Sequence, residues 1–89
     1  MLPHLNNHHR DTLEQIFAHP TSANIEWRQV ESLLDALGTA ESHGNKLRIR
    51  LGAEPELVLD REGKDLSIET VVALRRLLES AGFAPDAGG

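Results

Sequence analysis

The chain has 89 residues, room for one domain. Its 39% apolar content rests on fourteen Leu, with two Phe, one Trp and no Tyr, which suits one Leu-rich core and excludes two. The absence of Cys excludes disulfides, thiolate metal sites and cysteine nucleophiles, and nine Lys+Arg against fourteen Asp+Glu confine any nucleic-acid site to a local basic patch.

No apolar run approaches the roughly 20 residues of a bilayer span. The first ten residues lack a signal-type apolar region, so a cytoplasmic protein without membrane contact is expected. Residues 1–10 carry three of the five His, two Asn and a Pro, and read as a disordered start. His4, His8 and His9 could meet a metal there only adventitiously, because no second ligand cluster accompanies them. No metal and no small-molecule cofactor are expected.

A single domain is expected over 11–83. Asp11-Thr12-Leu13-Glu14 has the form of a capping box, and Leu13, Ile16 and Phe17 give a narrow apolar stripe. A short helix is therefore predicted from Asp11, ended near His19 by Pro20; a cation at His19 would suit the helix C-terminus. Thr21-Ser22-Ala23-Asn24 reads as a turn. Asn24 or Glu26 should cap a second helix over 26–38. Its stripe is Trp27, Val30, Leu33, Leu34 and Leu37, and Gly38 follows as a C-terminal cap. Trp27 reads as the aromatic anchor of the core.

The period then changes to two. Lys46-Leu47-Arg48-Ile49-Arg50-Leu51 alternates strictly, which predicts a strand with Leu47, Ile49 and Leu51 inward. After a turn at 52–55, Glu56 to Asp60 reads as a second strand with Leu57 and Leu59 inward. A weaker strand over 39–43 would complete an antiparallel meander. Residues 61–65 form a loop. Ser67 should cap the last helix, with Glu69 in its first turn, Ile68, Val71, Leu74, Leu77 and Leu78 as core stripe, and Gly82 as stop. Phe83 is placed to fold back past that stop, and 84–89 reads as a disordered tail. Helices and strands do not alternate, so the class is α+β, with the helices on one face of a small antiparallel sheet.

Lys46, Arg48 and Arg50 would project from the outer sheet face at about 6.8 Å spacing. They could hold phosphates, or they could pair with Glu56 and Asp60 on the next strand, each pair contributing a few tenths of a kcal/mol. Residues 39–66 hold five basic and six acidic residues, a poor phosphate trap. His43, beside Ser42, could act as a general base or be a polar strand end. Lys64, just ahead of a helix N-terminus, could touch a phosphate.

The arrangement over residues 25–83 resembles the HicA family, the small toxins of bacterial HicAB toxin–antitoxin modules. Residues 27–38, ending Leu37-Gly38, look like the family's first helix. Gly44-Asn45-Lys46-Leu47-Arg48-Ile49 looks like its Gly-Ser-His followed by a strand. Gly63-Lys64-Asp65-Leu66, with Thr70 and the closing Ala81-Gly82, looks like its Gly-Lys-Glu-Leu loop and last helix. The resemblance implies a double-stranded-RNA-binding-like α-β-β-β-α fold, with residues 11–19 an added N-terminal helix. It implies mRNA-interferase activity, an endoribonuclease reaction that uses the motif His, and a HicB-like antitoxin as partner.

The motif departs from the family pattern in either alignment. With Ser42-His43 as Ser-His, Glu41 replaces the Gly and Lys46 falls where the strand needs an apolar residue. With Gly44 as the Gly, Asn45 replaces Ser and Lys46 replaces the His, and the strand alternation is kept. The second alignment is preferred. The candidate catalytic residues are thus His43 and Lys46, and the candidate RNA contacts Lys46, Arg48 and Lys64. Three functions compete: a toxin that cleaves RNA, an RNA-binding domain without cleavage, and an inactive module that binds a protein or a second copy of itself.

Overall fold

A computed structural model describes residues 5–18 and 24–83. The expectations for His4, His19, Pro20, Thr21-Ser22-Ala23 and the tail 84–89 lie outside the described residues. The fold is α+β. Two helices, α1 (Asn7–Ile16) and α2 (Trp27–Leu37), precede three strands, β1 (Thr39–His43), β2 (Lys46–Arg50) and β3 (Leu57–Asp60), and a last helix, α3 (Ile68–Ser80). The strands form one antiparallel sheet in the order β1-β2-β3. Among the described residues no helix is long and apolar enough to cross a membrane.

Helix α1 starts four residues before the expected point. Asn6 is its N-cap, accepting from the His9 N–H at 2.8 Å. Residues 7–10, read from composition as disordered, are its first turn. Asp11 is therefore mid-helix, and the Thr12 hydroxyl donates back to the His8 carbonyl at 3.0 Å, as a helix-interior Thr does. Helix α2 takes Glu26 as its cap, whose N–H donates to Gln29 Oε1 at 3.0 Å. Ser67 caps α3, its hydroxyl accepting from the Thr70 N–H at 3.2 Å. At the far end of α3 the Phe83 N–H donates to the Leu78 carbonyl at 2.8 Å, and the Phe83 ring packs on the core.

The alternation of β2 sorts its side chains as expected: Leu47 and Ile49 are fully buried, and Lys46, Arg48 and Arg50 are exposed. The covered face meets Leu13 and Ile16 of α1, Val30, Leu33 and Leu34 of α2, and Val71, Leu74 and Leu78 of α3. Helix α1 packs on both α2 and α3. Arg75 of α3 secures it there. Its Nε donates to the Ile16 carbonyl at 3.1 Å and its Nη2 to the Ala18 carbonyl at 3.5 Å, a cation on the carbonyl end of α1.

Four residues expected in the core are only half-buried: Leu37, Leu57, Leu59 and Leu77. Leu37 closes α2, and Leu57 and Leu59 lie on an edge strand with no strand beyond them among the described residues. Ile68, expected on the core stripe of α3, is the first residue of that helix and is 47% exposed; the buried positions begin at Val71.

Gly38 follows α2, but not in the left-handed conformation of a helix-stopping glycine; its φ is −168°. Glycine is needed there because β2 passes too close. A Cβ on Gly38 would fall on the Arg50 carbonyl oxygen and lie 2.9 Å from Leu51 Cδ2. Gly38→Ala should therefore force the α2–β1 junction off β2 and cost about 1–3 kcal/mol by overpacking. Urea unfolding of the variant checks this, and unchanged stability would contradict the close approach.

Candidate functional site

The outer sheet face is built by the β1–β2 hairpin. Gly44 and Asn45 form its two-residue turn, and Gly44 takes φ +60°, which a residue with a Cβ rarely adopts. This turn sets His43 directly opposite Lys46, and β3 sets Asp60 on the other side of Lys46. The two residues that compete for one motif position in the sequence are thus neighbours across a strand pair, in a row His43–Lys46–Asp60. The next row is Glu41–Arg48–Val58, and Arg50 stands opposite Thr39.

Lys46, Arg48 and His43 each face a carboxylate. Lys46 Nζ pairs with Asp60 Oδ1, and Arg48 Nη2 lies 3.3 Å from Glu56 Oε2. His43 Nε2 lies 3.5 Å from Glu41 Oε2. The pairs are open to solvent: the His43 side chain is 62% exposed and that of Lys46 52%. Solvated pairs of this kind contribute about 0–1 kcal/mol each, so they shape the local potential more than the stability. Arg50 makes no ion pair among the described residues. It shares a shallow depression of about 320 Å³ with Arg48, Thr39, Glu41 and Glu56, two cations against two anions.

Lys64 does not join this face. It belongs to the loop after β3, which pairs with the segment leading into α2. The Trp27 N–H donates to the Lys64 carbonyl at 3.0 Å and the Leu66 N–H to the Ile25 carbonyl at 2.9 Å. The Lys64 side chain lies 3.5 Å from Glu26 Oε2 at the start of α2. The proposed RNA contacts are therefore split between Lys46 and Arg48 on the sheet and Lys64 beside α2.

Arg61 takes a structural place that sequence reasoning missed. Its guanidinium lies 3.1 Å from Glu31 Oε2 on α2 and donates to the Ser42 hydroxyl on β1. Ser42, the neighbour of the candidate base His43, is thereby engaged by a cation. His9, grouped by composition with the other N-terminal histidines, instead meets Ser32 of α2 through its Nε2, 2.8 Å from the hydroxyl. Among the described residues no group of three or more His, Cys, Asp or Glu is arranged to hold a metal ion.

A second concavity of about 440 Å³ lies at the free side of β3. Val58, Leu59 and Asp60 form one wall, Glu62, Asp65 and Leu66 the loop side, and Ser67, Glu69 and Thr70 of the α3 start another; Trp27 also lines it. Trp27 is 4% exposed, as a core anchor should be, but its buried Nε1 has no hydrogen-bond partner. An unmatched buried donor of this kind costs about 1–3 kcal/mol.

Comparison with known proteins returns no family: no family model, no curated protein and no solved structure matches the chain.

The charge arrangement makes a prediction for RNA. Few phosphates can be neutralised by cations that already face carboxylates. Affinity near physiological salt should be weak, and the slope of log affinity against log salt should correspond to about 2–3 phosphate contacts. Filter binding of a single-stranded RNA across a salt series measures it; tight binding that ignores salt would contradict it.

Proposed function

We propose that the chain is a HicA-like toxin–antitoxin module protein with a double-stranded-RNA-binding-like fold, in which RNA cleavage has lapsed and binding of a protein partner remains. One observation carries this reading: the candidate active-site row His43–Lys46–Asp60 and its neighbour Arg48 are balanced by carboxylates on the same solvent-facing surface. A phosphodiester approaching that face meets Glu41, Glu56 and Asp60 together with the cations. The element order and the Gly63-Lys64-Asp65-Leu66 loop support the family reading. The net charge of −5 supports a protein partner over RNA.

The partner in this reading is a HicB-like antitoxin or a second copy of the chain. Induction in a bacterial host should leave growth and mRNA intact. The product of an adjacent HicB-like gene should co-elute with the purified chain at a fixed ratio. Growth arrest with mRNA decay would overturn the reading.

One observation favours the active alternative. His43 and Lys46 stand side by side, so an imidazole that moves a proton and an ammonium that steadies a phosphate are available at one place. Cleavage of purified mRNA by the isolated chain decides between the two.

A further inference from the structure

The cleft at the free side of β3 has features that the fold does not require. β3 is an edge strand, hydrogen-bonded to β2 and to no other strand among the described residues. Four carboxylates line the cleft beside it, and no Lys or Arg does. Asp60 is matched by Lys46, whereas Glu62, Asp65 and Glu69 have no ion pair among the described residues. Val58, at 48% exposure, lies in the same wall, and Ile68, at 47%, opens the helix that forms the opposite one. These are the exposed large hydrophobics among the described residues. Trp27, more than nine-tenths buried in the lining, holds an N–H with no acceptor.

We infer that this cleft receives an extended basic segment of a second protein, laid along β3 as a fourth strand. The inference rests on the reading of the chain as a protein-binding module and names the chemistry of its partner. A strand brings main-chain carbonyls, which the outward N–H groups of β3 and the Trp27 Nε1–H can meet. Its side chains alternate, so one set can present Lys or Arg to Glu62, Asp65 and Glu69 while the other covers Val58. The occupant is not a segment of this chain outside the described residues, since 1–4, 19–23 and 84–89 contain no Lys or Arg. Two copies meeting edge to edge would set these carboxylates against their equivalents, and RNA would bring phosphates to them.

The test uses the full chain and a fluorescein-labelled peptide of about eight residues alternating Lys and Val, a typical strand length. A second peptide carries Glu in place of Lys. Fluorescence anisotropy should show the Lys peptide binding at least about tenfold more tightly than the Glu peptide, and weakening as salt rises. The combined Glu62→Gln, Asp65→Asn, Glu69→Gln variant should lose about tenfold in affinity for the Lys peptide. A control with the same change in net charge, Glu14→Gln, Asp35→Asn, Glu79→Gln on exposed helix positions, should stay within about twofold. Trp27→Phe keeps a ring in the core and removes the N–H; it should weaken the peptide by about threefold while a thermal melt shows a folded chain.

Equal binding of the two peptides, no binding of the Lys peptide, or equal losses in the two triple variants would overturn the inference. So would binding of a fluorescein-labelled RNA by the chain that Val58→Glu at the edge abolishes. Sedimentation of the chain alone as a dimer that Val58→Lys dissociates would assign the edge to a second copy and overturn it as well. Assaying mRNA cleavage on the same preparations separates the two proposals. Cleavage contradicts the non-cleaving reading, whereas a failed peptide without cleavage contradicts only the assignment of this cleft.

Discussion

Leu34→Ala should unfold a large share of the protein at moderate temperature. Leu34 sits in the middle of α2 with no solvent exposure, in the cluster where α1, α2, α3 and the covered face of the sheet meet. Truncating a buried Leu to Ala costs about 2–5 kcal/mol, the transfer term plus the cavity left behind. A chain of 89 residues stands at the small end of domains, where total stability is about 5 kcal/mol. Removal of Leu34 thus takes up a large part of the margin. Leu37→Ala, at a half-buried helix end, removes less buried surface and should cost less than half as much. Urea denaturation followed by far-ultraviolet circular dichroism compares the two. Equal effects, or a loss below about 1 kcal/mol at Leu34, would mean that α2 does not form the centre of the core.

The unequal legibility of the chain follows from the range of the interactions. Trp27, Val30, Leu33 and Leu34 share one helix face whatever else the chain does, so their stripe predicts α2 to within a residue. The alternation over 46–51 locates β2 for the same reason, and the strands around it follow. The start of α1 is misplaced from sequence because composition gives residues 1–10 to a disordered start and the capping box points to Asp11. Asn6 takes the role, and the turn it adds places His9 against Ser32.

Other features arise from contacts across the sequence that no local window contains. Gly38 invites reading as a helix stop, but the Arg50 carbonyl twelve positions on is what excludes a side chain there. Arg75 looks like a charge beside an apolar stripe, and it holds the end of a helix 59 residues earlier. The missing acceptor of Trp27 has no sequence signal, because burial of the ring and pairing of its N–H are separate outcomes of packing.

The candidate site was legible in its parts. Alternation put Lys46, Arg48 and Arg50 outward, and the same alternation on the next strand offered Glu56 and Asp60 as carboxylates that could pair with them. Alignment to the family motif left His43 and Lys46 as rivals, since a motif is matched along the chain. The hairpin turn sets them opposite each other, and pairing across strands is a property of register. Lys64 shows the converse: it falls within the family-like loop, but the backbone bridge to the segment before α2 carries it beside Glu26.

The chemistry of the row His43–Lys46–Asp60 sets the last expectation. Cleavage of RNA by its own 2′-hydroxyl needs a group that takes a proton from that hydroxyl and one that returns a proton to the leaving oxygen. Neutral imidazole performs the first step near neutral pH, and a lysine ammonium in solvent keeps its proton and can only steady charge. Here the ammonium of Lys46 is already engaged by Asp60, and the His43 imidazole faces Glu41 on a solvent-exposed surface. Loss of a positioned acid–base group lowers rates by about 10²–10⁴, so mRNA incubated with the purified chain should remain intact over times in which an active interferase degrades it. Lys46→His installs an imidazole at the position that the preferred alignment gives to the catalytic His, and it frees Asp60 to orient it; cleavage should rise by about 10², the lower end of that range. Lys46→His with Asp60→Asn should cleave less than the single variant if Asp60 orients the ring. Robust cleavage by the unaltered chain, abolished by His43→Ala, would assign the motif position to His43 and overturn the reading of a lapsed active site.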